Sequence, residues 1–237
     1  MTEYLPIAAV IFIAAAAHGA SGFGQGLIAM PLLALFIDIK TVIPLSLFNG
    51  LVIGLTLLFR WRRRLDFEKA WPLITSSLFG IPIGVYFLKT LDGSALKTGL
   101  GFLLVAFSLY SLSGVKIGSA MSAGWGYLFG FLSGMVGGAF GLNGPVSLIY
   151  VMSAPWNVEE KKGVLVTYFV TSNAMILTLY FTGGVELTGP AKFAVAGAPT
   201  AIAGAMIGAM FSDRLKKETV ERVIYGLTLV MGISLMI

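Results

Sequence analysis

The sequence predicts an all-α membrane protein built of two inverted repeats, each a broken or re-entrant helical hairpin plus three transmembrane helices. Three observations carry this. Of 237 residues, 57% are hydrophobic and 11% charged, with a mean hydropathy of +0.90, a composition of polytopic membrane proteins rather than of a soluble domain around one core. Two apolar stretches, residues 5–39 and 121–153, are each interrupted near the middle by glycine-rich polar sequence, His18-Gly-Ala-Ser-Gly-Phe-Gly-Gln-Gly26 and Gly137-Gly-Ala-Phe-Gly-Leu-Asn-Gly-Pro145. The lysines and arginines gather in short loops between apolar blocks, where they report topology.

The first stretch is too long for one straight crossing. At about 1.5 Å per residue it would reach roughly 45 Å or more, against a hydrocarbon core of about 30 Å, so it must bend, break or fold back. Its start, Met-Thr-Glu-Tyr, lacks a basic n-region and a small-residue cleavage pattern, so it reads as mature protein rather than a signal peptide. Three ordinary spans follow at 41–59, 71–88 and 96–113, completing a first repeat over 1–118. The second stretch, 121–153, opens a second repeat over 119–237, with spans at 163–181, 191–211 and 220–237.

Charge decides how the second stretch runs. If every block crosses once, seven basic residues fall on the side of the Arg60–Arg64 loop and nine on the other, against the positive-inside bias. If residues 121–153 enter and return, Lys161, Lys162 and the Arg214–Arg222 cluster join the Arg60–Arg64 side, giving twelve against Lys40, Lys89, Lys97 and Lys192. The fold-back is therefore preferred, with its polar middle buried in protein, where such backbone is tolerated at depth. No Lys or Arg precedes the first stretch, so charge leaves open whether it is re-entrant or spans.

Internal similarity supplies a further argument. Aligning Phe23-Gly24 with Phe140-Gly141 superposes the two breaks, and Gly80-Ile-Pro-Ile-Gly84 with Leu91 matches Gly204-Ala-Met-Ile-Gly208 with Leu215. A unit of one hairpin and three spans has an odd number of crossings, so a second copy lies upside down, as in many secondary transporters.

At each break several backbone groups lose their helical partners, and in hydrocarbon each unpaired group costs several kcal/mol, on the order of 2–7, unless protein, water or a ligand pairs it. Half-helices starting near Gln25 and Gly144 would aim free N–H groups and positive dipole ends inward, an arrangement that prefers anions. No Asp, Glu, Lys or Arg lies deep in any predicted span, so no carboxylate cluster for a metal and no charge relay is expected. The candidate binding residues are His18, Ser21, Gly22, Gly24, Gln25, Gly26, Asn49, Gly141, Asn143, Gly144 and Thr171. Ser46 and Asn49 (i,i+3), and Thr167 and Thr171 (i,i+4), share helical faces at comparable positions after the breaks. His18 is the chain's single histidine. With a reference pKa of about 6.5 it would serve proton coupling or pair with an anion, or else its neutral ring would hold the break in shape through a freed carbonyl. Glycines in Gly80-x-x-x-Gly84 and Gly204-x-x-x-Gly208 read as helix-packing positions.

Gly19-Ala-Ser-Gly-Phe-Gly-Gln-Gly-Leu-Ile-Ala-Met-Pro-Leu-Leu33 resembles the first-half signature of the sulfite exporter TauE/SafE family of membrane transporters, and Gly141-Leu-Asn-Gly-Pro-Val-Ser-Leu-Ile-Tyr150 is similar to its second-half signature. Lys161-Lys162 opening a Thr-containing span and Gly80-x-Pro-x-Gly84 are similar to family features as well. The resemblance covers essentially the whole chain. It implies a secondary transporter moving a small sulfur-containing anion, such as sulfite, thiosulfate or an organosulfonate like sulfoacetate, across a bacterial cytoplasmic (inner) membrane by alternating access. Gln25 and Asn143 depart from residues common at those positions and add amide groups at the breaks.

Other classes fit less well. A channel for anions or small solutes could use the same dipoles. A membrane enzyme lacks a nucleophile–base pair or nucleotide loop, and Gly22-x-Gly24-x-Gly26 lacks the strand–helix context of a dinucleotide fingerprint. The expected partners are the anion and membrane lipid, with no nucleic acid despite a pI near 9.5, no cofactor and no metal. The chain has no cysteine, which excludes disulfides and thiolate sites. Monomer and homodimer both remain open.

Overall fold

A computed structural model describes residues 4–61, 65–114, 121–212 and 217–237. Arg62, Arg63, Arg64, Lys116, Arg214, Leu215 and Lys216, used above for topology and repeat alignment, lie outside the described residues. The described chain is helical: α1 Tyr4–Ser21, α2 Gln25–Leu33, α3 Ile39–Trp61, α4 Phe67–Thr90, α5 Gly93–Leu112, α6 Ala123–Phe140, α7 Gly144–Ser153, α8 Val158–Thr182, α9 Thr188–Phe211 and α10 Lys217–Ser234. Both interrupted stretches leave the helix in their glycine-rich middles, between α1 and α2 and between α6 and α7. Five helices, α3, α4, α5, α8 and α9, are long and apolar enough to cross a membrane. In α10, Glu218, Glu221 and Arg222 crowd the first turns, so it is more amphipathic than the span expected at 220–237.

Contacts fix the direction of each helix. The Lys69 ammonium donates to Asp66 and Glu160 carboxylates, both at 2.8 Å, which joins the starts of α4 and α8. Lys89 Nζ donates to the Gly183 carbonyl at 2.8 Å and joins their far ends. Short turns place the starts of α5 and α9 at this Lys89 end, and Gly93 packs on Ile39 and Asp38, so α3 starts there too. Next, α1 runs alongside α9 in the same sense, Phe12 and Ala16 meeting Gly204 and Gly208 in turn, while α6 runs with α4 through Gly130, Gly134 and Gly138 against Leu73, Ser77 and Ile81. Phe107 against Tyr225 and Gly101 against Gly232 make α10 antiparallel to α5. Finally, α2 advances with α10, from Gly24 beside Ile224 to Leu27 O, which accepts from Thr228 Oγ1 at 3.5 Å.

Two hairpins follow. Because α1 runs with α9 and α2 with the opposed α10, the first stretch enters from the Lys89 end and returns to it. The second returns to the Lys69 end: the Met121 amide donates to the Ser153 carbonyl at 3.4 Å, and Phe129 of α6 stacks on Tyr150 of α7 at 6.1 Å.

The packing exchanges partners between the halves. In the first half α1 lies on α9, and in the second α6 lies on α4; α3 meets α9 as α8 meets α4, and α3·α8 and α5·α10 pair like with like. The α1–α9 and α4–α6 seams are backbone against backbone, since a side chain on Gly19, Gly80, Gly84 or Gly208 would collide with main-chain atoms of the facing helix. In lipid, where tails are as apolar as leucine, such close approach of small residues supplies much of the attraction between helices.

Candidate functional site

Each hairpin turn is set by glycine in the left-handed region, where a Cβ is strained. Gly24, φ 103°, precedes α2, and Gly141, φ 65°, ends α6. At Gly141 a side chain would also press on the Ile43 carbonyl, 2.7 Å from the Cβ position. Hydrogen bonds hold the first turn: Gly22 N–H donates to His18 O at 2.7 Å, and the Ser21 hydroxyl, within 2.7 Å of Ala17 O and 2.6 Å of Phe23 O, accepts from the Phe23 amide. In the second, the Asn143 carbonyl accepts from Ser133 Oγ at 2.6 Å and Ser147 Oγ at 2.8 Å, and Tyr168 OH donates to Ser133 Oγ at 2.9 Å.

Side-chain caps are found at some helix starts and not at others. Asp66, Asp92 and Asn157 cap α4, α5 and α8 by accepting from Lys69, Ala95 and Glu160 amides at 2.7–3.0 Å. The N-cap residues of α2 and α7 make no side-chain cap, nor do those of α6 and α9, but only α2 and α7 begin within the bundle. The first bond serving α2 is Ile28 N–H to Gly24 O at 3.1 Å, which leaves the amides of its first turn to be satisfied from outside the helix.

These two N-termini open on one cavity of about 40 Å³. It is lined by His18, Gly24, Gln25 and Gly26 of the first turn, Gly141, Asn143 and Gly144 of the second, and Ser46, Gly50, Phe169 and Asn173 of the crossing helices α3 and α8. No Asp, Glu, Lys or Arg is among the lining residues. At about 10–15 Å³ per water-sized sphere, the space suits a few waters or one compact anion. His18 is buried, its ring edge-on to Phe169 at 6.1 Å, and its Nδ1 has no hydrogen-bond partner among the described residues. Gln25 Nε2 approaches Ser46 Oγ at 3.5 Å. Asn143 Nδ2 donates to Ser172 Oγ at 2.6 Å and Asn173 Oδ1 at 2.9 Å, so its amide ties the second turn to α8. Outside the cavity, the Lys162 stem passes 3.5 Å from the Cβ position of Gly22, a basic residue bordering the first turn.

Of the remaining candidates, Ser21 and Gly22 shape the first turn without lining the cavity. Asn49 is fully buried on α3 beside the cavity residue Gly50, and neither its Oδ1 nor its Nδ2 has a partner among the described residues. Thr171 lies apart: its hydroxyl donates to Thr167 O at 2.8 Å, and it lines an apolar cleft of about 510 Å³ between α4 and α8 with Pro82 and Thr178. Asn173, Phe169 and Gly50 line the cavity although the candidate set lacked them. Residues two apart on a helix point about 200° from each other, so Thr171 and Asn173 face opposite ways.

A bundle of membrane-length helices holding two opposed hairpins, whose tips meet at a small cavity lined without fixed charge, defines a multi-pass helical membrane protein. The chain belongs to the sulfite exporter TauE/SafE family, which it matches over residues 7–235. It is 26% identical over 177 residues to a protein of Cupriavidus necator described as a probable sulfite/organosulfonate exporter TauE, covering 70% of this chain and 68% of that protein. No solved structure matches. Family membership makes the chain a multi-pass membrane transporter, a protein of the inner membrane in bacteria.

Proposed function

We propose that the chain is a carrier for a small sulfur-containing oxyanion, sulfite-like or an organosulfonate, which binds between the tips of the two hairpins. The observation that carries this is the pair of uncapped helix N-termini meeting at one buried cavity without fixed charge. Amide N–H groups and dipole ends bind an oxyanion there without burying a cation beforehand. The description of the Cupriavidus necator relative as a sulfite/organosulfonate exporter supports the same substrate class. Ser46, Gln25 and Asn173 add neutral donors.

The opposed hairpins and exchanged packing partners support two inverted repeats and transport by alternating access. Backbone-to-backbone seams favour mixed bundles as the moving bodies, α1 and α9 in one, α4 and α6 in the other. The α3–α8 crossing then forms the seam between them. His18 is the one titratable side chain in the cavity lining, the place from which a proton could be coupled to the anion.

Purified protein tested by thermal shift against sulfite, thiosulfate, taurine, sulfoacetate and carboxylate analogues checks the substrate class. Ligand at one hundred times its Kd stabilises by about 2.7 kcal/mol. Stabilisation by sulfur oxyanions is expected; stabilisation by cations or neutral solutes alone overturns the reading.

A further inference from the structure

We infer that Asn173 is a substrate-reading residue, its carboxamide N–H₂ turned into the cavity by Asn143 and seated against the bare backbone of Gly50; this rests on the oxyanion reading above. The orientation follows from a short chain of hydrogen bonds. Asn143 Nδ2 lies 2.6 Å from Ser172 Oγ and 2.9 Å from Asn173 Oδ1, so one amide nitrogen serves two oxygens. The Ser172 hydroxyl faces the Phe169 carbonyl at 3.5 Å and so accepts from Asn143 rather than donating to it. With its oxygen committed to Asn143, Asn173 has only its N–H₂ left to present, and this group has no hydrogen-bond partner among the described residues. Asn173 is 5% exposed and lines the cavity, and its Nδ2 is not among the fully enclosed polar atoms without a partner, so the donors keep access to the cavity space.

Gly50 is the floor of this position. A Cβ there would stand 2.7 Å from Asn173 Nδ2 and 3.5 Å from Gln25 Oε1, so the two carboxamides flank the bare backbone of α3. A side chain at Gly50 would therefore push the Asn173 carboxamide out of the position it holds.

The test uses the full-length protein and two probes, sulfite and 2-hydroxyethanesulfonate, a sulfonate ionised at every working pH. Asn173→Asp keeps the size and replaces the donor by an anionic acceptor. Its affinity for both probes at pH 7.5 is expected to fall at least about tenfold, as for loss of a hydrogen bond to a charged group. The sulfonate affinity of the variant should recover, relative to wild type, as the pH falls and the new carboxyl gains a proton to donate. A structural role would not restore binding on acidification. Gly50→Ala places a methyl group against Asn173 Nδ2 and is expected to weaken both probes by displacing the same carboxamide. Wild-type binding with unchanged affinity in Asn173→Asp overturns the inference and leaves the oxyanion reading intact. If wild type binds neither probe, the oxyanion reading itself has failed. Should Asn173→Asp not fold, Asn173→Ser, which keeps a shorter donor, is expected to retain weakened binding, and full wild-type affinity in it overturns the assignment.

Discussion

Tyr168, Ser133 and Asn143 form a buried relay in which a hydroxyl, a second hydroxyl and a backbone carbonyl are joined at 2.9 and 2.6 Å. Ser133→Ala removes the middle member and leaves Tyr168 OH without this acceptor, at a cost of about 1–3 kcal/mol, read as a fall in melting temperature in detergent. His18 behaves differently, because its Nδ1 holds no partner that a substitution would orphan. His18→Gln is expected to keep its melting temperature within a few degrees and to flatten the pH dependence of transport, measured as uptake into proteoliposomes. An unchanged pH profile removes proton coupling through this residue. At this scale the sequence was readable where chemistry repeats and unreadable where only geometry decides. His18, Gln25 and Asn143 stood out as polar residues beside glycine, whereas Thr171 and Asn173 carry similar donors on one helix, and only packing of α8 against α3 and α7 turns Asn173 toward the cavity.

Among the elements, the hairpins were legible because Gly24 and Gly141 supply backbone angles that interrupt a helix, and because basic residues flank the second stretch on one side. The return of the first stretch was not, since it has no flanking charge before it; contacts of α2 with α10 decide it. The small-residue stripes were legible as packing faces, but no stripe names its partner. Gly208→Val places a branched side chain against the main chain of Ala16, and overpacking of this kind costs about 1–3 kcal/mol. A lower melting temperature without altered ligand selectivity is the expected outcome. Where α4 and α8 begin, Lys69 is clasped between Asp66 and Glu160. Partial burial raises the Asp66 carboxyl, but hydrogen bonds from the Lys69 side chain and amide, with its charge, outweigh this and hold it below its ordinary value of 3.8. A carboxyl lowered by folding stabilises above its unfolded value, and that contribution disappears as the pH falls through the lower folded one. Acid should therefore lower the melting temperature below about pH 4 less in Asp66→Asn than in wild type.

For the whole molecule, the two halves are interlocked rather than placed side by side. The two breaks and the glycine pairs are visible in sequence, yet the exchange of α1 and α6 between halves depends on contacts among residues far apart in the chain. If transport moves the mixed bundles across the α3–α8 crossing, a covalent tie there should arrest it. The chain lacks cysteine, and a Cβ at Gly54 would stand 3.9 Å from Val170 Cβ, within the usual spacing for a disulfide of about 3.5–4.5 Å. Oxidised Gly54→Cys/Val170→Cys is expected to lose uptake of sulfite and to regain it on reduction. Uptake that persists when the tie is complete would show that this seam does not move.

The partnership of α1 with α9 also bears on biosynthesis. Translation at about 5–20 residues per second separates the emergence of Ala16 from that of Gly208 by roughly 10 to 40 seconds, during which the first hairpin has only lipid or the insertion machinery against its glycine face. Its final seat does not exist until the penultimate helix has been made. A nascent polypeptide cut short before that point cannot bury this face as the finished protein does, which makes premature termination visible to membrane proteases from the opposite end of the chain.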